Sequence, residues 1–554
     1  MSLALIIVTA LAVLWIAERS VEHLKLAVAA LCFGAALLLF AVTDLERAIL
    51  LSAILAAGIF GASNVKYDHS GIKLVVTDLP LAFAGTVPFL LAQYPLALTV
   101  ALAGSIALML AGVATLFYVR GPPVSLELQM LLFGMACVGL LAAYRATGGP
   151  VTFQRHAAHP RCFLSSFVAS VLDPLSWRRF GGLALSDIAE DPLPLMAAVP
   201  ARITDYPDII IIQHESIFDP RLFGLPIEPI VESFLSPERG LHGSLNVDIF
   251  GGGSWQSEFS LLTGLSSASF GSNAYFLFKR GAGRFHSSLP RTLSALGYRT
   301  MLTSSCRRSF LSYDRFYRSI GIHERLFTDD FRPPFDVKRF EATGSDALFL
   351  DAALDAHMKG IAGDASPRFL YALTNFNHGP HTRQLAATGR FEGERAFAAA
   401  SLPDACYAEY YARLVETAVT WNRLKSELSV RFPDRPVLIV HYGDHQPVMT
   451  RRIERKLQLD PDPKRQFRTF YAIETINGLP DRIPCGRGPD LDIAFLGTVA
   501  LQHAGLPLDE IFATRASLLE HCGGAYFASS SERKRRFHRT LVDLGMIDVA
   551  PTVR

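Results

Sequence analysis

Charged residues are scarce in the first quarter of this 554-residue chain, although they make up 19% of the whole sequence. The same region carries five apolar runs, and the longer ones approach the ~20 residues that a helix needs to cross a bilayer. A single run is typical of a buried core helix, or of a signal peptide when it comes first, but five in succession are not. They predict a polytopic α-helical membrane domain over residues 1–147, with spans near 3–16, 26–42, 49–62, 96–119 and 126–144.

A sixth apolar stretch, residues 72–94, is interrupted by Asp78, Pro80 and Pro88. The prolines favour a re-entrant or interfacial segment, with a full span as the alternative, because proline disrupts a helix interior. Basic residues do not separate onto alternate loops, so the positive-inside rule gives little guidance on orientation. An odd number of spans from a cytoplasmic start predicts a multi-pass protein of the plasma (inner) membrane with its later part on the periplasmic or extracytoplasmic side.

The sequence also lacks a strong excess of charge of either sign, since its formal net charge is only +2. Nucleic-acid partners are therefore not expected, because they are bound by clustered basic residues. The seven cysteines show no C-x-x-C spacing, which argues against a zinc finger or zinc ribbon. Internal repeats and low-complexity segments are absent as well.

The composition changes after residue 147. Residues 148–200 are predicted to be a linker, in which 162–177 forms either an interfacial helix or an ordinary linker helix. Over residues 201–530, strand-like runs alternate with helical segments, which is typical of an α/β domain. The candidate strands are 208–213, 299–302, 369–373, 437–440 and 469–473, and a helix over about 408–430 precedes the fourth. Residues 531–554 are predicted to be a basic tail with a solvated charged face.

Metal-competent side chains follow two of the predicted strands. Glu215 comes after the 208–213 run, and Asp444 and His445 come after the 437–440 run. The carboxyl ends of parallel strands are where open α/β sheets hold their ligands. Carboxylates beside an imidazole suit a divalent cation. The pattern predicts a hydrolase or transferase site rather than a binding module.

A glycine-rich turn at residues 251–253 precedes a predicted helix that begins near Ser254. A hydroxyl at a helix N-terminus faces free N–H groups, which favour a phosphoryl anion and a developing alkoxide. The alternative is a structural N-cap, since Ser254 with Ser257 or Glu258 resembles a capping box. This segment alone favours the cap, because serine is a common N-cap residue.

A third polar segment, residues 374–381, follows the predicted strand at 369–373. Its His378 is a candidate to bind a substrate phosphate or a leaving oxygen, although a lone histidine in a loop is more often simply exposed. The combined segments resemble the alkaline phosphatase/sulfatase superfamily and, within it, the lipoteichoic acid synthase and membrane phosphoglycerol transferase group. The matching pieces are Glu215-Ser216 after a strand, Ser254 with Ser257-Glu258-Phe259, Asn377-His378-Gly379-Pro380, Gly443-Asp444-His445-Gln446-Pro447, the spans, and the loop at 64–79.

The resemblance implies a C-terminal sulfatase-like (alkaline phosphatase-like) domain that holds one divalent ion. Manganese is favoured, with magnesium or zinc as alternatives. Ser254 would be the nucleophile and His378 a substrate contact, and the implied ion ligands are Glu215, Ser254, Asp444 and His445.

The chain departs from the family pattern in two places. Many members carry threonine where this chain has Ser254, and serine offers the same hydroxyl chemistry. The tryptophan and arginine that hold glycerophosphate in lipoteichoic acid synthases do not align cleanly with residues 307–314. Arg307 and Arg308 are therefore candidate phosphate partners by charge rather than by match.

The implied activity is transfer of phosphoglycerol from phosphatidylglycerol, or a related phospholipid, to a glycan or polyglycerophosphate acceptor through a glycerophosphoryl-serine. The alternative is a phosphoethanolamine transferase or another sulfatase-fold phosphodiester hydrolase. A true sulfatase is disfavoured because Ser254 is followed by Trp-Gln-Ser-Glu and does not open the C/S-x-P-x-R motif. A scaffold with a decayed site is disfavoured because every implied ligand position is intact.

Overall fold

A computed structural model of the chain describes two units, Met1–Gly182 and Leu183–Arg554. The boundary between these units lies within the predicted linker at residues 148–200. The structure describes residues 14–15, 18, 21–70, 73–78, 95–147, 162–172, 183, 185, 187–308, 312–331, 346–359, 364–386, 389–478, 484–527, 529 and 531–549.

The apolar runs of the first unit form long helices. Four of them are long and apolar enough to cross a membrane. The predicted first span, at residues 3–16, lies almost wholly outside the described residues. Residues 79–94 of the predicted re-entrant segment lie outside them as well. The helices of this unit are α1 (Val21–Val42), α2 (Leu45–Ser70), α3 (Pro95–Tyr118), α4 (Leu126–Ala146) and the short α5 (Phe163–Leu172).

The long helices expose large apolar side chains. Met109 and Phe117 of α3 are 62% and 71% exposed, and Val138 of α4 is 70% exposed. Exposed apolar side chains are unfavourable in water, so together with the length of these helices they suggest a membrane protein. The shorter α5 lies inside the predicted linker, and its Leu164 and Ala169 are buried within the first unit.

The second unit is built on a mixed sheet of nine described strands. The strand order is β4-β3-β5-β1-β6-β7-β2-β8, and β9 also pairs with β2. Strands β4, β3, β5, β1 and β6 are parallel, whereas β7 runs antiparallel to both β6 and β2. The strands are β1 (Asp208–His214), β2 (Gly240–Asn246), β3 (Arg299–Ser304), β4 (Glu324–Leu326), β5 (Arg368–Leu373), β6 (Val437–Gly443), β7 (Arg468–Ile476), β8 (Gly486–Arg487) and β9 (Leu491–Asp492).

Apolar side chains cover both faces of the central strands. Alternate residues of β1 enter different cores, since Ile209 and Ile211 join one cluster while Ile210 and Ile212 join the other. A continuous apolar run is what a parallel strand needs when helices pack on both of its faces. The covering helices are α6 (Pro229–Leu235), α7 (Ser254–Thr263), α8 (Leu277–Arg280), α9 (Leu289–Ala295), α10 (Tyr313–Ser319), α11 (Asp346–Met358), α12 (Glu392–Ser401), α13 (Ala405–Arg431), α14 (Thr450–Leu457), α15 (Ile493–His503), α16 (Glu510–Cys522) and α17 (Glu532–Asp543).

The segment that was predicted to be a basic tail is part of the folded second unit. Helix α17 buries Phe537 and Leu541, and the buried Lys534 forms a 2.7 Å ion pair with Asp187. The hydroxyl of Thr540 accepts a hydrogen bond from the backbone of Leu193. The sequence analysis missed this packing because the run of basic residues dominates the segment. Phe537 and Leu541 are four residues apart and so lie on one face of the helix.

Two histidines are buried side by side behind the carboxyl ends of β1 and β6. The ring of His441 stacks on Trp421 at 3.9 Å and lies edge-on to His214 at 5.4 Å. Neither ring nitrogen of either histidine has a hydrogen-bond partner among the residues described. Burial, then repulsion from His214 and Lys425, lowers the pKa of His441 well below its ordinary value. The imidazole of His441 is therefore neutral in the folded protein.

We expect His441→Leu to remove one acid-sensitive contribution to stability. The unfolded chain protonates His441 near pH ~6.5, but the folded chain does not, so this contribution is complete above that pH and is lost as the pH falls. As the pH falls from about 6.5 to 5, the free energy of unfolding of the variant relative to the wild type should rise by up to ~1.4 kcal/mol per pH unit. Urea unfolding in detergent at several pH values measures the difference. The same change at the exposed His521 is the control, and a pH-independent difference for His441→Leu contradicts the prediction.

Candidate functional site

The polar residues after β1 and β6 emerge side by side because these strands are parallel neighbours. Ile212 pairs with His441 and His214 with Gly443, and the next residue of each strand is Glu215 or Asp444. The amide of Asp444 also donates to the carbonyl oxygen of His214 at 3.3 Å. A Cβ at Gly443 would lie 1.9 Å from the carbonyl oxygen of Ile217, so only glycine allows the end of β6 to approach the segment after β1 this closely.

Ser254 is the first residue of α7, and its hydroxyl does not cap the helix. The N-cap is Gly253, whose φ of 93° lies in the left-handed region that favours glycine. The amide of Gly251 donates to the carbonyl oxygen of Gln446 at 2.9 Å, which fixes the turn beside the end of β6. The N-cap alternative for Ser254 is therefore wrong, because the tight glycine turn frees the hydroxyl to face Glu215.

Three buried side chains and the partly buried Ser254 meet where β1 and β6 end and α7 begins. The Ser254 hydroxyl donates to Oε2 of Glu215 at 3.0 Å and lies 3.3 Å from Nε2 of His445. Nε2 of His445 is 3.4 Å from Oε1 of Glu215 and 3.6 Å from Oδ2 of Asp444. The structure thus brings together the ligand set Glu215, Ser254, Asp444 and His445 that the resemblance implied.

The pKa values of the two carboxyl groups shift in opposite directions. Burial alone would raise the pKa of Glu215, but the imidazoles of His445 and His378 and the neighbouring hydroxyls lower it below its ordinary value. Burial, then repulsion from Glu215, raises the pKa of Asp444 well above its ordinary value. Two carboxyls this close do not ionise independently, so the pair holds either a shared proton or a cation.

The donor atoms fit a divalent cation. One ligand atom each from Glu215, Asp444 and His445 lies within 4.8 Å of the others, and Oδ2 of Asp444 has no hydrogen-bond partner among the described residues. Nδ1 of His445 lies 3.1 Å from the carbonyl oxygen of Gln446, which directs Nε2 into the site. Burial lowers the pKa of His445, which favours the neutral imidazole that a metal requires.

His378 lies close enough to the cluster to influence it. Its imidazole lowers the pKa of Glu215 through charge interaction. The ring is half-buried, and its Nδ1 lies 2.6 Å from the carbonyl oxygen of Gly379. This contact engages Nδ1 rather than Nε2.

The two candidate arginines differ in their surroundings. Arg308 is held by Asp314 at 2.5 Å and Asp330 at 2.6 Å, and its guanidinium lies 4.8 Å from the Phe327 ring centroid. Its charge is thus already compensated. Arg307 is exposed. Within the described part of the chain, neither guanidinium bonds to the four clustered side chains, so the structure does not join these arginines to the site.

A buried polar network that the sequence analysis did not assign lies beneath the site. Glu258 follows Ser254 by one helical turn, and Gln213 precedes Glu215 by two residues on β1. Burial raises the pKa of Glu258 to about 8, because desolvation outweighs the hydrogen bonds that it receives. Its carboxyl accepts these bonds from Gln213 at 3.3 Å, Tyr313 at 3.4 Å and Tyr317. The quoted Ser-Glu-Phe motif contained this residue, but nothing local indicated its burial.

Comparison with known proteins agrees with this architecture. The sequence model of the sulfatase family matches residues 207–470. An uncharacterised protein of Haemophilus influenzae is similar to this chain, with 24% identity over 318 residues. That match covers 55% of each protein, so the chain spans about half the length of this curated relative.

Several solved structures are similar to the second part of the chain. The Streptococcus pyogenes phosphoglycerol transferase GacH has 17% identity and a TM-score of 0.46, over 62% of this chain and 87% of GacH. The Listeria monocytogenes lipoteichoic acid synthase LtaP has 16% identity and a TM-score of 0.41, over 56% of this chain and 76% of LtaP. The C-terminal periplasmic domain of EptC from Escherichia coli has 13% identity and a TM-score of 0.37, over 56% of this chain and 86% of that domain.

The sequence-based prediction of family and fold is therefore confirmed for the second unit. The residues matched by the family model run from the start of β1 into β7 and include all four clustered side chains. After its apolar helices, this chain carries a domain that matches the sulfatase family model over residues 207–470.

Proposed function

We propose that the protein transfers phosphoglycerol from phosphatidylglycerol to a glycan or polyglycerophosphate acceptor through a covalent intermediate on Ser254. The observation that carries this proposal is the position of the Ser254 hydroxyl. It is the first residue of a helix and hydrogen-bonds to Glu215 at 3.0 Å beside His445. A hydroxyl used only as a helix cap would point to its own helix instead.

In the first step, the Ser254 oxygen attacks phosphorus and gives up its proton toward Glu215. The bond from phosphorus to the diacylglycerol oxygen breaks, and that oxygen takes up a proton as diacylglycerol leaves. The start of α7 is the positive end of its helix dipole, which favours the negative charge of the phosphoryl oxygens. His378 is placed to contact the phosphate or the leaving oxygen through Nε2.

In the second step, an acceptor hydroxyl attacks the same phosphorus. The acceptor hydroxyl loses its proton, the bond from phosphorus to the Ser254 oxygen breaks, and the Ser254 oxygen takes up a proton. The acceptor now carries the glycerophosphoryl group, so two displacements replace one difficult transfer. Water as acceptor would give hydrolysis, so exclusion of water from the buried cluster favours transfer.

A divalent cation held by Glu215, Ser254, Asp444 and His445 would lower the pKa of the serine hydroxyl and neutralise phosphoryl charge. We favour manganese from the family resemblance, with magnesium or zinc as alternatives. The lipid donor explains why the domain follows membrane-spanning helices. We place the chain in the plasma (inner) membrane as a multi-pass protein with the sulfatase domain on the periplasmic or extracytoplasmic side.

The test is to trap the covalent intermediate. The full-length protein in detergent is incubated with Mn²⁺ and phosphatidylglycerol labelled in the head group, and labelled peptides are mapped by mass spectrometry. We expect glycerophosphate on the peptide that contains Ser254, with release of diacylglycerol. Labelling only from phosphatidylethanolamine would replace the proposed donor. No label from either lipid would reject the proposed function.

A further inference from the structure

The loop that carries His378 is held by a helix rather than by the sheet. After β5, residues 374–386 leave the sheet edge beside Glu215 and form turns without a helix or strand. The amide of Thr374 still bonds to the carbonyl oxygen of Gln213 at 3.1 Å. The next two amides, of Asn375 and Phe376, donate to the Asp346 carboxylate at the start of α11, both at 3.1 Å, and the loop then turns toward α13. From Phe376 onward, α13 supplies the side-chain contacts that reach the His378 backbone itself.

One face of α13 carries three buried polar residues at helical spacing. Glu409, Arg413 and Thr417 follow one another at intervals of four, so they lie in a row along the helix. Each one binds the 374–386 loop. The Glu409 carboxylate accepts from the amides of Leu385 at 2.7 Å and Ala386 at 3.1 Å, and the Thr417 hydroxyl accepts from the Asn377 amide group at 2.9 Å.

Arg413 is the centre of this row. Its side chain is fully buried and donates to Glu409 at 2.8 Å. The other donors of the guanidinium reach backbone oxygens of Phe376 at 3.3 Å, His378 at 3.0 Å and Arg383 at 2.6 Å. A planar fork satisfies several oxygens in fixed directions, which a lysine ammonium cannot do. One side chain thus fixes the loop on both sides of His378 and at His378 itself.

We propose that Arg413 is a positioning residue that aims the His378 imidazole at the substrate phosphate. This inference rests on the proposed function and adds a residue to it. The direct bond from Arg413 to the His378 carbonyl oxygen sets the backbone, and the contact of Nδ1 with the Gly379 carbonyl oxygen sets the ring. Arg413 itself acts only through His378.

The test is a double-mutant cycle on the full-length protein with Arg413→Lys and His378→Ala. Phosphatidylglycerol and a chromogenic phosphodiester are both used as substrates, with Mn²⁺. We expect each single variant to lower kcat/KM by ~10- to 100-fold, since misplacement of a contacting group by about 1 Å has effects of this size. The double variant should be no worse than His378→Ala alone. The Mn²⁺-dependent thermal shift should be unchanged in Arg413→Lys, because this change keeps all four implied metal ligands and the His378 side chain.

The matched control is Arg515→Lys. Arg515 is also buried and its guanidinium lies 4.6 Å from the Phe512 ring centroid, but it lies on α16 and does not bind the His378 loop. We expect it to keep wild-type kcat/KM. If Arg413→Lys does not fold, Thr417→Ala removes a single hydrogen bond to the same loop. It should lower kcat/KM by a smaller factor, and this decrease should also disappear in the His378→Ala background.

The proposal would be overturned if Arg413→Lys lowered kcat/KM by the same factor with and without the His378 side chain. That result would show that Arg413 serves only stability. Unchanged kcat/KM in Arg413→Lys would also overturn it. These outcomes are distinct from failure of the proposed function. If the wild type cleaves the chromogenic phosphodiester but not phosphatidylglycerol, the donor assignment fails while the cycle still decides the role of Arg413.

Discussion

Ser254→Ala is expected to abolish phosphoglycerol transfer, with turnover falling by at least ~10⁴-fold. The reason is that alanine removes the atom that forms the bond to phosphorus, and loss of a nucleophile has effects of this order in other two-step enzymes. The covalent adduct should disappear at the same time. Release of diacylglycerol from labelled phosphatidylglycerol measures turnover, and peptide mapping measures the adduct.

Two further variants make this result specific to the Ser254 hydroxyl. Ser254→Thr keeps a hydroxyl at the first position of α7 and should retain both measurable turnover and an adduct. Ser260→Ala is the control on the same helix, because the buried Ser260 hydroxyl accepts a hydrogen bond from the amide of Ser267 and does not face the cluster. Persistent transfer in Ser254→Ala, or an adduct on another residue, would reject the assignment.

The central strands could be predicted because they are buried on both faces. The run of isoleucines in β1 and the apolar run in β6 are stable only where helices cover each side of the sheet. Strand β2 could not be predicted, because it contains Gly240 and Gly243 and has only two large aliphatic residues, Leu241 and Leu245. Its place is set by pairing with β7, where a Cβ at Gly243 would lie 2.8 Å from the Tyr471 ring. Gly243 is therefore required by Tyr471, which lies more than two hundred residues later in the sequence.

The site shows the same division between local and distant causes. Adjacency of Glu215 and Asp444 could be predicted because both follow parallel strands. The role of Ser254 could not be decided locally, because a serine at a helix start suits both a cap and a nucleophile. The left-handed Gly253 at the N-cap position excludes the cap. The environment of Arg308 was also hidden, since its partner Asp330 approaches it only after folding.

Asp444→Asn is expected to abolish metal-dependent stabilisation without weakening the metal-free protein. Oδ1 of Asp444 accepts from the amides of Ser216 and His445, both at 2.7 Å, and an asparagine oxygen can accept the same bonds. The new amide group would face Glu215 and remove the repulsion that raises the pKa of Asp444. The unfolding temperature in EDTA should therefore equal or exceed that of the wild type.

Metal binding should show the opposite effect of Asp444→Asn. Mn²⁺ at ~100 times its Kd should stabilise the wild type by about 2.7 kcal/mol, whereas the variant should gain nothing at that concentration. Wild-type affinity should also fall as the pH falls, because the cation must displace the proton that the raised pKa of Asp444 retains. Thermal unfolding with Mn²⁺ and with EDTA measures both effects, and Asp248→Asn, another buried aspartate, is the control that keeps the Mn²⁺ shift. A variant that unfolds early in EDTA yet keeps the Mn²⁺ shift would mean that Asp444 is a structural residue and that the cation is held elsewhere.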